Sequence, residues 1–214
     1  MLELDTPHGK ANVHLRFADR PRAALVLGHG AGGGIGSQDL TAVSAAARSS
    51  GVSVALVEQP YRVSGRRSPP PVAHLDAGWI AVVQQLLTGE LQGLPLIAGG
   101  RSLGARVACR TAEAVGAAAV LCLAFPLQPP RRATGASPPS RLVELDAVQV
   151  PTLVVQGERD PFGLPPARSD RTVARVKADH SLRTDLEAVA AAVADWLPGV
   201  LRRSRPNGLP APGP

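Results

Sequence analysis

The feature that most limits what this chain can fold into is a series of short apolar runs that do not alternate. "AALVLG" (23–28), "VSVALV" (52–57), "PLIAG" (95–99), "AAVLCLAF" (118–125) and "PTLVVQG" (151–157) are hydrophobic at nearly every position. A strand with one face in water alternates polar and apolar residues, whereas a strand covered on both faces of a parallel sheet has no reason to. "VHLRF" (13–17) and "RTVARV" (171–176) complete a set of seven strand-like runs. Helical patterns lie between most of them. Leu75, Trp79, Val82, Val83 and Leu86 form one stripe; Leu182, Leu186, Val189, Val193, Trp196, Leu197 and Val200 form another, both at the 3.6-residue period of a helix with one buried face. This alternation predicts an α/β fold: a mostly parallel, doubly wound sheet of about seven strands in a single domain over residues 1–201. Three segments rich in proline, glycine and arginine, 61–71, 126–141 and 202–214, are expected outside regular structure, the last as a disordered Arg/Pro-rich tail.

A chain of 214 residues with 44% apolar and 19% charged residues suits one soluble globular core. Its first residues carry acids and histidines where a signal peptide would be apolar, and no window is long and apolar enough to span a membrane. A cytoplasmic location with no membrane partner is expected, and Cys109 and Cys122, both in apolar segments, read as reduced core residues. The net charge of +6 raises the question of nucleic acid. Lys10 and Lys177 are the only lysines, two tryptophans, one tyrosine and three phenylalanines are all there is to stack on bases, and the arginines are scattered apart from a few pairs. These features argue against a nucleic-acid partner.

In a sheet of this kind ligands bind outside the carboxyl ends of the strands, so the loops there carry the search for chemistry. "GRSLG" (100–104) follows one strand and precedes a helical stretch, the setting in which a strained turn lifts a serine hydroxyl clear of the sheet. Gly100 and Gly104 are the positions where a Cβ would crowd the neighbouring helix and strand. Ser102 needs a base, and the base needs a group to fix its tautomer. Of five histidines, only His180 lies between the last strand and the last helix. Asp160 in "QGERDPFG" can reach it from the preceding loop, with Glu158 and Asp179 as rival acids and a plain turn before Pro161 as the structural alternative. The chain order Ser102, Asp160, His180 is that of the α/β-hydrolases.

"LGHGAGGG" (27–34) allows two readings. Gly28, Gly30 and Gly33 match a dinucleotide fingerprint, with Glu58 placed as a ribose acid, which would make the protein a nucleotide-binding oxidoreductase. The glycines run on to Gly36, however, so the next helix should begin near Ser37, too late to meet a pyrophosphate. The alternative is an oxyanion hole built from the backbone N–H groups of Ala31 and Leu103.

The motifs "GHGAGGG", "GGRSLGAR", "FPLQPP", "VQGERDPFG" and "DHSL", in this order and spacing, resemble the compact, dienelactone-hydrolase-like α/β-hydrolases of the KANL/Tex type, over about residues 22–200. The resemblance implies an α/β-hydrolase fold with no large cap domain and Ser102, Asp160 and His180 as the triad; the triad mechanism needs no metal or cofactor, and none is expected. A serine hydrolase acting on an ester, thioester or related acyl bond of a small molecule follows. A non-catalytic binding module using the same cleft is the competing reading, since the group includes subunits of chromatin complexes. His29, Arg66, Arg67, Arg101, Arg131 and Arg132 stand in or beside the loops of that edge. The arginines are the candidates for holding an anionic part of the substrate and His29 is a candidate for substrate contact, against the alternative that the arginines are solvated loop charges.

Overall fold

The computed structural model describes residues 1–129 and 138–203. Its chain order is β1 (Leu2–Thr6), β2 (Gly9–Arg16), β3 (Ala23–Gly28), α1 (Gln38–Ser49), β4 (Val52–Glu58), α2 (Pro60–Val63), α3 (Val72–Thr88), β5 (Leu96–Arg101), α4 (Leu103–Thr111), β6 (Ala119–Leu123), α5 (Leu142–Asp146), β7 (Thr152–Gly157), β8 (Arg171–Val176) and α6 (Leu186–Arg203). The eight strands form one sheet in the order β1-β2-β4-β3-β5-β6-β7-β8. From β4 to β8 every pairing is parallel, while β1 and β2 run antiparallel at one edge.

The unbroken apolar runs have the predicted cause. Along β3, Ala24 and Val26 enter the core under α3 and α4, while Ala23, Leu25 and Leu27 enter the core under α1 and α6. β6 divides in the same way, with Val120 and Cys122 on one face and Ala119, Leu121 and Leu123 on the other. Covering both faces removes each of these side chains from water, at about 1.5–3 kcal/mol for a fully buried leucine or valine. The α3 stripe is buried as its period requires, with Trp79 at 0% exposure in the centre.

Three details differ from the sequence expectation. The eighth strand is β1, whose half-buried pattern comes from Leu2 and Leu4 alternating with Glu3 and Asp5. It packs one face only, so it carries no continuous apolar run. A helical turn, α2, occupies the start of the segment expected to be irregular, with Pro60 at its first position, where the missing N–H costs nothing. Finally, α6 continues through Arg202 and Arg203, since Val200 and Leu201 bury its last turn, so these arginines belong to the helix and not to the expected tail. Residues 204–214 lie outside the described residues. No cap domain interrupts the sheet among the described residues, and no helix there is long and apolar enough to cross a membrane.

Candidate active site

Ser102 sits between β5 and α4 with φ 53° and ψ −105°. A serine in this region costs about 1–3 kcal/mol and persists only where its surroundings over-determine it. Its N–H is tied to Leu123 O at 2.8 Å, and the chain can turn this sharply because three glycines meet beneath it. A Cβ on Gly100 would lie 2.7 Å from Gly28 O, and one on Gly104 would lie 2.4 Å from the same oxygen. Gly28 itself faces Gly104 Cα, so it serves the close approach of β3 to α4 and not a phosphate. Among the described non-glycine residues, positive φ occurs at Ser102, Ala124 and Leu182. All three follow a parallel strand, on the edge that carries the site.

His180, in the loop after β8, places Nε2 3.0 Å from Ser102 Oγ and Nδ1 2.8 Å from Asp160 Oδ2. A carboxylate can only accept, so Nδ1 carries the proton and Nε2 is left to accept from the serine hydroxyl. Asp160 is buried and its second oxygen accepts from Phe162 N at 2.9 Å. The rival acids point elsewhere: Glu158 is exposed, and exposed Asp179 accepts from the backbone and hydroxyl of Ser181, which hold its carboxyl below its usual range. Gly157 lets the two loops touch, since a Cβ there would stand 2.4 Å from Asp179 O.

Residues outside the sequence reading hold these groups in place. Gln156 at the end of β7 is fully buried; its Oε1 accepts from Phe125 N at 2.8 Å, which turns Nε2 toward Asp160 Oδ2 at 2.8 Å and the carbonyls of Phe125 and Gly163, both at 3.0 Å. A polar side chain inside an otherwise apolar run, four residues before the acid, was the signal available in "TLVVQGERD". The Phe162 ring lies 4.4 Å from the His180 ring at a tilt of 60° and confines it from the side.

The loop expected to carry an oxyanion hole is pinned at both peptides that flank Ala31. His29 Nδ1 donates to Gly30 O at 2.8 Å, and Tyr61 Oη donates to Ala31 O at 3.1 Å. In a trans peptide the N–H points opposite the preceding carbonyl, so holding Gly30 O fixes the direction of Ala31 N–H. Leu103 N opens α4, where an N–H has no partner within the helix. His29 was a candidate for substrate contact, and the structure corrects this. The ring is 2% exposed and its Nε2 accepts from Gln59 N, so both nitrogens are used by backbone, and burial lowers its pKa. Burial also raises the Tyr61 pKa to about 12, which keeps its hydroxyl a donor.

The arginines divide. Arg101 donates from Nη2 to His180 O at 3.0 Å and places Nε 3.5 Å from buried Asp39, so it braces the histidine loop, and it lines a cavity with Gly30 and Ser181. Arg66 and Arg67 line cavities on the β4 side whose walls contain none of Ser102, Asp160 and His180. Arg131 and Arg132 lie outside the described residues. No cluster of metal-ligating side chains occurs among the described residues.

An elbow serine after the central strand of a parallel sheet, facing a histidine and an acid from the loops of two later strands, places the molecule in the α/β-hydrolase class. The chain belongs to the alpha/beta hydrolase domain family, whose model matches residues 21–191. No curated protein matches it. Solved structures share the fold at low identity. A serine hydrolase without lid from Xanthomonas campestris is 20% identical, covering 97% of this chain and 95% of its own, with a TM-score of 0.71. Dienelactone hydrolase from Anabaena variabilis is 17% identical over 92% and 95%, with a TM-score of 0.72. Est1E from Butyrivibrio proteoclasticus, solved with ferulic acid, is 14% identical over 94% and 100%, with a TM-score of 0.76.

Proposed function

We propose that the protein is a serine hydrolase of the compact, dienelactone-hydrolase-like KANL/Tex type that cleaves an ester, thioester or related acyl bond of a small molecule through an acyl-enzyme. The observation that carries this reading is the unbroken chain from Ser102 Oγ to His180 Nε2 at 3.0 Å and from His180 Nδ1 to Asp160 Oδ2 at 2.8 Å, anchored at a strained serine. Ser102 Oγ attacks the acyl carbon as its proton passes to His180 Nε2. Negative charge then develops on the carbonyl oxygen, opposite the N–H groups of Leu103 and Ala31, and an anion held by such donors needs no reorganisation at the moment of reaction. The bond to the leaving group breaks as His180 returns the proton to it. Water enters, gives its proton to His180 and attacks the ester of Ser102; the acid departs and the proton goes back to Oγ. Asp160 stays ionised throughout and holds the imidazolium in place.

A fluorophosphonate probe tests this directly. The native protein is expected to be labelled on Ser102, and the Ser102→Ala protein to be unlabelled and to lose roughly six orders of magnitude in turnover of an ester. Equal labelling of both proteins would overturn the mechanism.

A further inference from the structure

On the edge of the sheet that carries Ser102, the β1–β2 turn brings His8 against His74 in the first turn of α3. The two rings stack with centroids 3.9 Å apart and planes within 14°. They border a cavity of about 300 Å³ whose wall also contains Arg66, Ser64, Tyr61 and Gln59. No carboxylate lines this cavity, and among the described residues the Arg66 guanidinium has no ion-pair partner. The main chain of Arg66 is nonetheless anchored, its N–H donating to Tyr61 O at 2.8 Å. Tyr61 also holds the oxyanion loop through Ala31 O, so one residue forms both the wall of this cavity and the support of the acyl site. In the strand order β4-β3-β5, two inter-strand gaps separate the end of β4 from the end of β5, about 10 Å.

Resting on the hydrolase reading, we propose that this cavity is a subsite for an anionic oxygen group, a carboxylate or a phosphate, at the far end of the substrate whose acyl carbon meets Ser102. Arg66 offers a forked set of donors that matches either anion. Two imidazoles add N–H donors at the mouth of the same cavity. A metal ion is the wrong occupant, because parallel stacked rings do not converge their nitrogens and a guanidinium stands beside them.

The test uses activated esters matched in acyl length and ended by methyl, carboxylate or phosphate, assayed with the native protein and with Arg66→Gln and His8→Ala/His74→Ala variants. Titrations of inorganic phosphate and of glutarate, followed by the His8 and His74 ring resonances, run alongside. The native protein is expected to prefer one anion-ended ester over the methyl-ended one by about tenfold or more, with the preference collapsing toward unity in the variants. Which end group is preferred tells a carboxylate from a phosphate. No preference in the native protein, or one that survives both variants, overturns the subsite and leaves the hydrolase standing. Absence of ester turnover, with phosphate or glutarate still shifting the two ring resonances and losing that effect in Arg66→Gln, keeps the anion site and rejects the hydrolase reading. If neither anion perturbs the rings, the site is rejected on its own terms.

Discussion

At the scale of single residues, the acid of the site depends on a neighbour that does no chemistry. Gln156 and His180 donate to the same oxygen of Asp160, while Phe162 N holds the other, so the carboxylate has no freedom to rotate away from the imidazole. Replacing Gln156 by glutamate turns a donor into a charged acceptor beside a buried carboxylate, the most disruptive exchange available at nearly constant volume. Gln156→Glu is expected to lower kcat/KM by about tenfold to a hundredfold through loss of a charge-assisted hydrogen bond, and Gln156→Met by less, both with unchanged far-ultraviolet circular dichroism. Equal activity in all three proteins would show that Asp160 is positioned without Gln156. The residue was visible in the sequence as a polar interruption, but its partners Phe125, Asp160 and Gly163 come from two loops that only the folded sheet brings together.

At the scale of elements, the elbow is a packing problem solved by glycine. β3, β5 and α4 approach so closely that a single Cβ on Gly104 would meet three backbone atoms of Gly28 at 2.4–3.0 Å, none of which can yield as a side chain would. Gly104→Ala is therefore expected to push α4 off β3 and to destabilise the protein by roughly 3 kcal/mol or more in denaturant unfolding. Gly33→Ala, in the loop proposed to carry the oxyanion hole but with nothing within 4 Å of its new Cβ, is expected to change stability by less than about 0.5 kcal/mol. The pair separates a glycine that close packing requires from one that no neighbour requires. Similar losses in both would refute that division.

At the scale of the whole molecule, stability responds to acid through His29, because this buried ring joins the β3 loop to the residue after β4. Burial lowers its pKa below the ordinary 6.5, so the unfolded chain takes up the proton first as pH falls. The contribution of His29 is thus fully present above pH 6.5 and is lost progressively below it. Thermal unfolding between pH 7.5 and 5 is expected to show a falling Tm, with a shallower fall in His29→Gln, which keeps one donor and one acceptor. An identical slope in the two proteins would remove His29 from this role.

What the sequence determined by itself is what local pattern encodes. Unbroken apolar runs require a sheet covered on both faces, and the order of strands and helices makes that sheet mostly parallel. Glycines around Ser102 mark a turn too tight for side chains, and the place of Asp160 and His180 after later strands brings them to the same edge. The tertiary structure alone decided matters that depend on which loops touch. It chose Asp160 over Glu158 and Asp179 by burial and ring contact. It turned His29 from a substrate candidate into a brace, gave Arg101 a hold on the histidine loop, and stacked His8 on His74 across 66 positions of chain. β1 escaped the sequence reading for the same reason: an edge strand packs one face, and one packed face leaves only a weak alternation in five residues. Periodicity reports how many faces of an element are covered, but not by which residue, and chemistry at a site is set by the latter.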